Sequence, residues 1–136
     1  MTSNAANVLQ HTITKGFTVN FYETFLDRAL KSIPDGYGIS KQYMTLLAKI
    51  KEYDLESFQG ALAERESRRT NMFNMITRDA FREGQLAMVS VGHDASVVLL
   101  DTILDVDHTR FIPYIKLACY PPVSYRYVIP LTKIAT

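Results

Sequence analysis

The chain is poor in the residues that build disulfides and zinc sites. Its 136 residues include one cysteine, Cys119. A single thiol forms no internal disulfide and cannot build a zinc site alone, and it fits a reducing compartment. We expect Cys119 to be a buried, inert thiol, because it stands in a predicted apolar strand.

Long apolar runs and a basic excess are also missing. No stretch reaches the ~18 residues that a membrane span requires, and the polar residues 1–10 do not resemble a secretory signal. The formal net charge is +1, whereas dedicated nucleic-acid binders usually carry a clear basic excess. We therefore expect a cytoplasmic protein that does not engage membranes and that needs a local patch to bind RNA or DNA.

The composition is that of a globular protein, with 47% hydrophobic and 21% charged residues. The length suits one domain with a core of its own. We expect an irregular lead-in over residues 1–16 and a single domain over residues 17–136.

Helical signals fill the first part of that domain. Apolar residues recur at helical spacing from Phe21 to Ile33, with Asn20 as the predicted cap. Ser40 is expected to cap a second helix, and Asp54 to begin a third. The sequence leaves open whether residues 55–82 form one helix or two, and it favours two.

The hydrophobic rhythm changes to a two-residue period after Gly84. Short turns separate four predicted strands, which implies antiparallel pairing: 86–91, 96–106, 111–120 and 123–132. Pro113 and Pro130 favour edge strands or bulges. The predicted fold class is α+β, with three or four N-terminal helices packed on one face of a four-stranded antiparallel sheet.

The candidate binding site lies on the third and fourth predicted strands. If their apolar residues face the helices, the open face carries Arg110, Tyr114, Lys116 and Arg126. Cations mixed with aromatic rings suit phosphate contact with base stacking, and they also suit a protein interface. Cross-strand pairs on a solvated sheet are an equally good explanation.

Catalytic motifs are not evident. His93 stands in a predicted turn and is either a general acid or base or a solvated histidine. Asp101, Asp105 and Asp107 are either a weak cation site or a solvated strand end, and Asp101 and Asp105 are expected to share a face. No phosphate-binding glycine loop, nucleophile elbow or dinucleotide fingerprint is present, so we expect no cofactor and no metal site.

Segments 24–30, 39–40, 46–51 and 81–86 together resemble RegB, a phage endoribonuclease related to RelE-type toxins. The resemblance implies helices on a small antiparallel sheet and an origin in a phage or another mobile element. Thr24 and Ala48 stand where RegB has histidines, so its histidine chemistry is not implied. RelE-type enzymes use Arg, Lys and Tyr on the sheet, which are the residue types of the candidate face.

The hypothesis that follows is a small non-catalytic binding or regulatory protein that acts on a host protein or RNA. One alternative is a RelE/RegB-like endoribonuclease that needs no metal. A second is a structural component of a virion or other assembly. Self-association into a homo-oligomer is compatible with each of them.

Overall fold

The computed structural model describes residues 21–58, 74, 78, 80–107 and 113–134. The predicted lead-in, the predicted cap at Asn20 and much of the segment 55–82 lie outside these residues. None of the helices in the described part of the chain has the length and apolar character needed to cross a lipid bilayer.

Two α-helices occupy the N-terminal part of the described chain. Helix α1 covers residues 21–32, and helix α2 covers Lys41–Phe58. The Ser40 hydroxyl accepts a hydrogen bond from the Tyr43 N–H at 3.4 Å, as expected of a helix cap. The third helix predicted to begin at Asp54 is wrong, because α2 continues through that residue. Residues 74, 78 and 80 are also helical.

Six strands form one sheet in the order β1-β6-β2-β3-β4-β5. Every paired neighbour is antiparallel. The strands are β1 Tyr37–Ile39, β2 Leu86–Ser90, β3 Val98–Asp107, β4 Tyr114–Leu117, β5 Val123–Ser124 and β6 Val128–Lys133.

The predicted class α+β with an antiparallel sheet is right, but the predicted architecture is wrong. The described residues contain two continuous α-helices, the separate helical positions 74, 78 and 80, and six strands, in place of three or four helices and four strands. The fourth predicted strand is divided by a 3-10 helix, Tyr125–Tyr127. This change of direction leaves β5 beside β4 and brings β6 between β1 and β2.

Pro130 lies in an interior strand, whereas an edge strand or a bulge was expected. Its carbonyl accepts a hydrogen bond from the Ser40 N–H at 3.0 Å. In an antiparallel ladder the N–H and C=O of one residue point to the same side, so the missing donor of Pro130 faces Ser40, just beyond the end of β1. Its paired residue in β2, Ala87, therefore loses no ladder hydrogen bond.

The core joins both helices to the sheet. Its largest fully buried side chains come from α1, α2 and the four strands β2, β3, β4 and β6: Tyr22, Tyr43, Phe25, Ile50, Met88, Ile103, Ile115, Ile129, Leu131, Val89 and Val128. Burial of these side chains is the main source of stability, because each contributes about 1.5–3 kcal/mol relative to an exposed position.

Candidate functional site

Strands β3 and β4 have one buried side and one open side. Ile103 pairs with Leu117, and Ile115 stands two residues before Leu117, so these three buried residues share a side. The residues of opposite phase form what we call the outer face: Leu100, Thr102, Leu104, Asp105, Asp107, Tyr114 and Lys116.

The register of β3 shifts between Ile103 and Asp105, where the strand contains a β-bulge. A bulge places two residues opposite one, so the residues after it change phase. Asp101 is therefore buried at 4% exposure, whereas Asp105 is exposed on the outer face. The prediction that the two carboxylates share a face is wrong for this reason.

The four predicted binding residues have different locations. Lys116 is exposed and Tyr114 is half-buried, and both belong to the outer face. Arg126 is half-buried in the 3-10 helix that follows β5, not in a strand. Arg110 lies outside the described residues. The structure thus brings together Tyr114 and Lys116.

Carboxylates and leucines accompany these two residues. Asp105 is paired with Lys116 and Asp107 with Tyr114 in the β3–β4 ladder. Leu100 and Leu104 are 44% and 49% exposed, at positions about 13 Å apart along the strand. The outer face is therefore apolar in part and carries charges of both signs.

A second feature is a pocket between the β2–β3 turn and the loop that follows β4. We call it the aromatic pocket, and its volume is about 300 Å³. It is lined by Val89, Ser90, Val91, Gly92, His93, Tyr120, Pro121, Val123 and Tyr127. Val89 and Val123 share the side of Ile103 and Ile115, so the pocket opens on the other side of the sheet from the outer face.

His93 and Tyr127 form the polar contact of the aromatic pocket. The His93 Nδ1 and the Tyr127 hydroxyl lie 2.8 Å apart, which is a hydrogen bond. The ring of Phe21 meets the Tyr127 ring edge-on, with the ring centroids 5.5 Å apart. Helix α1, the β2–β3 turn and the 3-10 helix are thus joined at Tyr127.

The buried carboxylate of Asp101 holds one wall of the pocket. It accepts hydrogen bonds from the backbone N–H groups of Cys119 and Tyr120 at 3.1–3.2 Å. Tyr120 lines the pocket, and Cys119 is exposed in the bend before it. The prediction of a buried Cys119 is wrong, because β4 ends at Leu117.

Asp94 fixes the conformation of the turn that carries His93. Its Oδ1 accepts a hydrogen bond from the Ser96 N–H at 3.0 Å. Hydrogen bonds from the Ser96 side chain, and then from its backbone, lower the pKa of Asp94, because they stabilise the ionised carboxylate. The turn is therefore best formed when Asp94 is charged.

Within the described residues, no group of three or more His, Cys, Asp or Glu side chains is placed to hold a metal ion. Asp101 is occupied with backbone donors and is separated from Asp105 by the bulge. The acidic residues of β3 therefore serve different purposes: Asp101 organises a loop, and Asp105 is a surface charge.

The sequence pointed to His93 as a candidate but gave no sign of its partner. Tyr127 lies 34 residues further along, in a segment that was predicted to be a strand. No spacing rule connects a turn residue to a 3-10 helix across the sheet. The hydrogen bonds of Asp101 to the loop after β4 were missed because they join residues 18 and 19 positions apart in the chain.

Comparison with protein-family models, with curated proteins and with solved structures gave no match. The resemblance to RegB and RelE-type toxins therefore stays a prediction that no relative tests. Function has to be inferred from the outer face and the aromatic pocket themselves.

Proposed function

We propose that this chain is a small non-catalytic binding protein that docks a protein partner through the outer face of β3 and β4. The supporting observation is the exposure of Leu100 and Leu104 on the same side as Tyr114 and Lys116. Single exposed leucines are common on soluble proteins. Here two leucines on one strand face are followed, further along β3 and β4, by Asp105, Asp107, Tyr114 and Lys116, so an apolar part adjoins a polar rim as in many protein interfaces.

The charges of the outer face favour protein over RNA as the partner. RNA binding draws on cations that neutralise phosphates, and nearby carboxylates oppose it. Asp105 stands directly across the ladder from Lys116, and Asp107 stands across from Tyr114. The overall charge of +1 adds no compensating attraction. A protein surface with charges of both signs can pair with such a rim, whereas a phosphate backbone cannot.

Docking would use side chains and not the sheet backbone. Strand β3 lies between β2 and β4, so its N–H and C=O groups are engaged on both sides. Addition of a partner strand needs an exposed sheet edge. The partner would therefore lie across the outer face and cover Leu100 and Leu104 with apolar side chains of its own.

Matched leucine variants test this proposal. Leu100→Glu and Leu104→Glu place a charge on the outer face, and Leu30→Glu places the same charge on helix α1, where Leu30 is 63% exposed. Wild-type protein and the three variants are immobilised in parallel and exposed to bacterial lysate, and the captured proteins are quantified by mass spectrometry. A bacterial lysate is chosen because the resemblance to a phage protein predicts a bacterial host.

We expect a protein partner that wild type and Leu30→Glu capture equally and that both outer-face variants lose. With the purified partner, each outer-face variant should bind at least about tenfold more weakly, because the leucine that the partner would cover is replaced by a charge. Sedimentation of the chain alone shows whether that partner is a second copy. Equal capture by all four proteins, or recovery of RNA without a protein, would contradict the proposal.

A further inference from the structure

The aromatic pocket is independent of the proposed docking face, since it opens on the other side of the sheet. Its volume of about 300 Å³ is at the lower end of the range for small-molecule sites, enough for one or two fused rings. The rings of Tyr120 and Tyr127 and the side chains of Val89, Val91 and Val123 supply its walls.

The lining residues limit the charge of any ligand. None of the nine is Lys, Arg, Asp or Glu. A phosphate or carboxylate in such a site would lose hydration, and no Lys or Arg among the nine lining residues could pair with its charge. Burial of an anion in this way is costly. A neutral ring, in contrast, gains contact with two tyrosine rings and several aliphatic side chains.

The His93–Tyr127 pair supplies a hydrogen-bonding position for one polar group. When the Tyr127 hydroxyl donates to Nδ1, a neutral His93 carries its proton on Nε2, where it can donate to a ligand. When the protonated Nδ1 donates to the Tyr127 oxygen instead, the Tyr127 O–H is free to donate to a ligand. In either tautomer the pair retains one donor and one acceptor, so it can match a ligand carbonyl or a ligand hydroxyl.

The walls of the pocket are held in place without a ligand. Asp101 fixes the backbone of Tyr120, and Phe21 packs on the ring of Tyr127. The buried Ser90 hydroxyl donates to the Gly92 carbonyl at 2.9 Å and ties the end of β2 to the turn that carries His93. A pocket formed in advance costs little to order when a ligand binds.

We propose that the aromatic pocket binds an uncharged aromatic molecule of one or two rings that carries a single hydroxyl or carbonyl group. The ring lies against Tyr120 and Tyr127, and its polar group bonds to the His93–Tyr127 pair. This site does not depend on the proposed function, and its failure would leave the docking proposal intact.

The test uses three naphthalene probes that share a ring system: 2-naphthol, 2-naphthoate and naphthalene itself. Each is titrated into the full chain, labelled with nitrogen-15, and amide shifts are followed by NMR. Ligands of this size bind well-formed pockets with Kd values of about 0.1–1 mM. We expect 2-naphthol to shift the amides of residues 89–93 and 120–127 in that range, and 2-naphthoate to bind at least about tenfold more weakly.

Two pairs of proteins locate the site. Val91→Trp fills the rim of the pocket, whereas Val97→Trp places the same ring on the neighbouring exposed position of the hairpin; the two valines are 46% and 48% exposed. Only Val91→Trp should abolish binding. Tyr127→Phe keeps the ring and removes the hydroxyl, so it should weaken 2-naphthol about fivefold or more and leave naphthalene unchanged.

Three results would overturn the proposal. The first is the absence of saturable shifts with 2-naphthol up to about 2 mM, since a Kd above that concentration is weaker than such a pocket supplies. The second is equal binding of 2-naphthol and 2-naphthoate. The third is binding that survives Val91→Trp. A dispersed amide spectrum for each variant shows that the loss of binding is not a loss of fold.

Discussion

Both carboxylate oxygens of Asp101 accept the Cys119 backbone N–H, with the nitrogen 3.2 Å from Oδ1 and 3.1 Å from Oδ2. The second oxygen also accepts the Tyr120 N–H. The Ala118 N–H is bonded to the Thr102 carbonyl beside it. A strand residue thus organises the loop that leaves the neighbouring strand, and this loop carries Tyr120 into the aromatic pocket.

Replacement of Asp101 by Ala should lower the free energy of unfolding by about 2–4 kcal/mol, because charge-assisted hydrogen bonds to the loop are lost at a buried position. Asp101→Asn should cost less, since the amide retains one acceptor oxygen. Asp105→Ala is the control, because Asp105 is exposed on the same strand. It should change the free energy of unfolding by less than about 0.5 kcal/mol. Urea denaturation measures all three. Equal effects at the two positions would contradict a stabilising role for the hydrogen bonds from Asp101 to the loop.

Local features of the fold were predictable from local sequence. Ser40 is a residue type that favours helix caps, and Tyr43, Leu46, Leu47 and Ile50 recur at helical spacing, so α2 was expected with its buried face. Pro34, Asp35 and Gly36 are residue types typical of turns, and they form the turn that follows α1, where Gly36 has φ +86°. These signals lie within a few residues of the structure they determine.

Features that depend on distant partners were not predictable. Strand β1 has three residues, and it forms because β6, far along the chain, offers its backbone. The division of the last strand at Tyr125–Tyr127 leaves the alternation of apolar residues almost unchanged. On the candidate site, the sequence identified Tyr114 and Lys116 but not the bulge that separates Asp101 from Asp105.

The stability of the β2–β3 turn should depend on pH through Asp94. Hydrogen bonds from Ser96 lower its pKa in the folded state, so the charged carboxylate stabilises the fold. This contribution is complete above the pKa of the unfolded chain and disappears as pH falls through the lower pKa of the folded chain. Asp94→Asn should therefore be less stable than wild type at pH 7, and the difference should shrink on acidification.

Thermal unfolding of wild type and Asp94→Asn between about pH 7 and pH 3 measures this effect, a window that covers carboxylate titration. Asp35→Asn, in the exposed turn after α1, controls for the loss of one negative charge. A difference between wild type and Asp94→Asn that grows toward low pH would show that the sign is wrong.

Ala95 combines a left-handed backbone with complete burial. Its φ is +56°, and its exposure is 0%. Ala95→Val should destabilise the chain by about 2 kcal/mol or more, because a β-branched residue is strained at positive φ and two added methyl groups overpack a fully buried position.

Ala95→Gly separates the two causes. Relief of the left-handed strain favours glycine by about 1 kcal/mol, and loss of the buried methyl and the greater freedom of the unfolded chain oppose it by a similar amount. We expect a change within about 1 kcal/mol of wild type by urea denaturation. A valine variant as stable as the glycine variant would contradict the assigned strain.

The endoribonuclease alternative makes an opposite prediction to the binding proposal. We expect the purified chain to leave a mixed RNA pool intact in the presence of EDTA, because the described outer face places carboxylates next to Lys116 and contains no histidine to exchange protons. Gel analysis after prolonged incubation at excess protein measures this.

The endoribonuclease hypothesis instead requires cleavage that Lys116→Ala or Arg126→Ala abolishes. Lys133→Ala, at an exposed position of β6, should leave that cleavage unchanged. Such a pattern would assign catalysis to the candidate face and replace the binding proposal, whereas cleavage that all three variants retain equally would point to a contaminating nuclease.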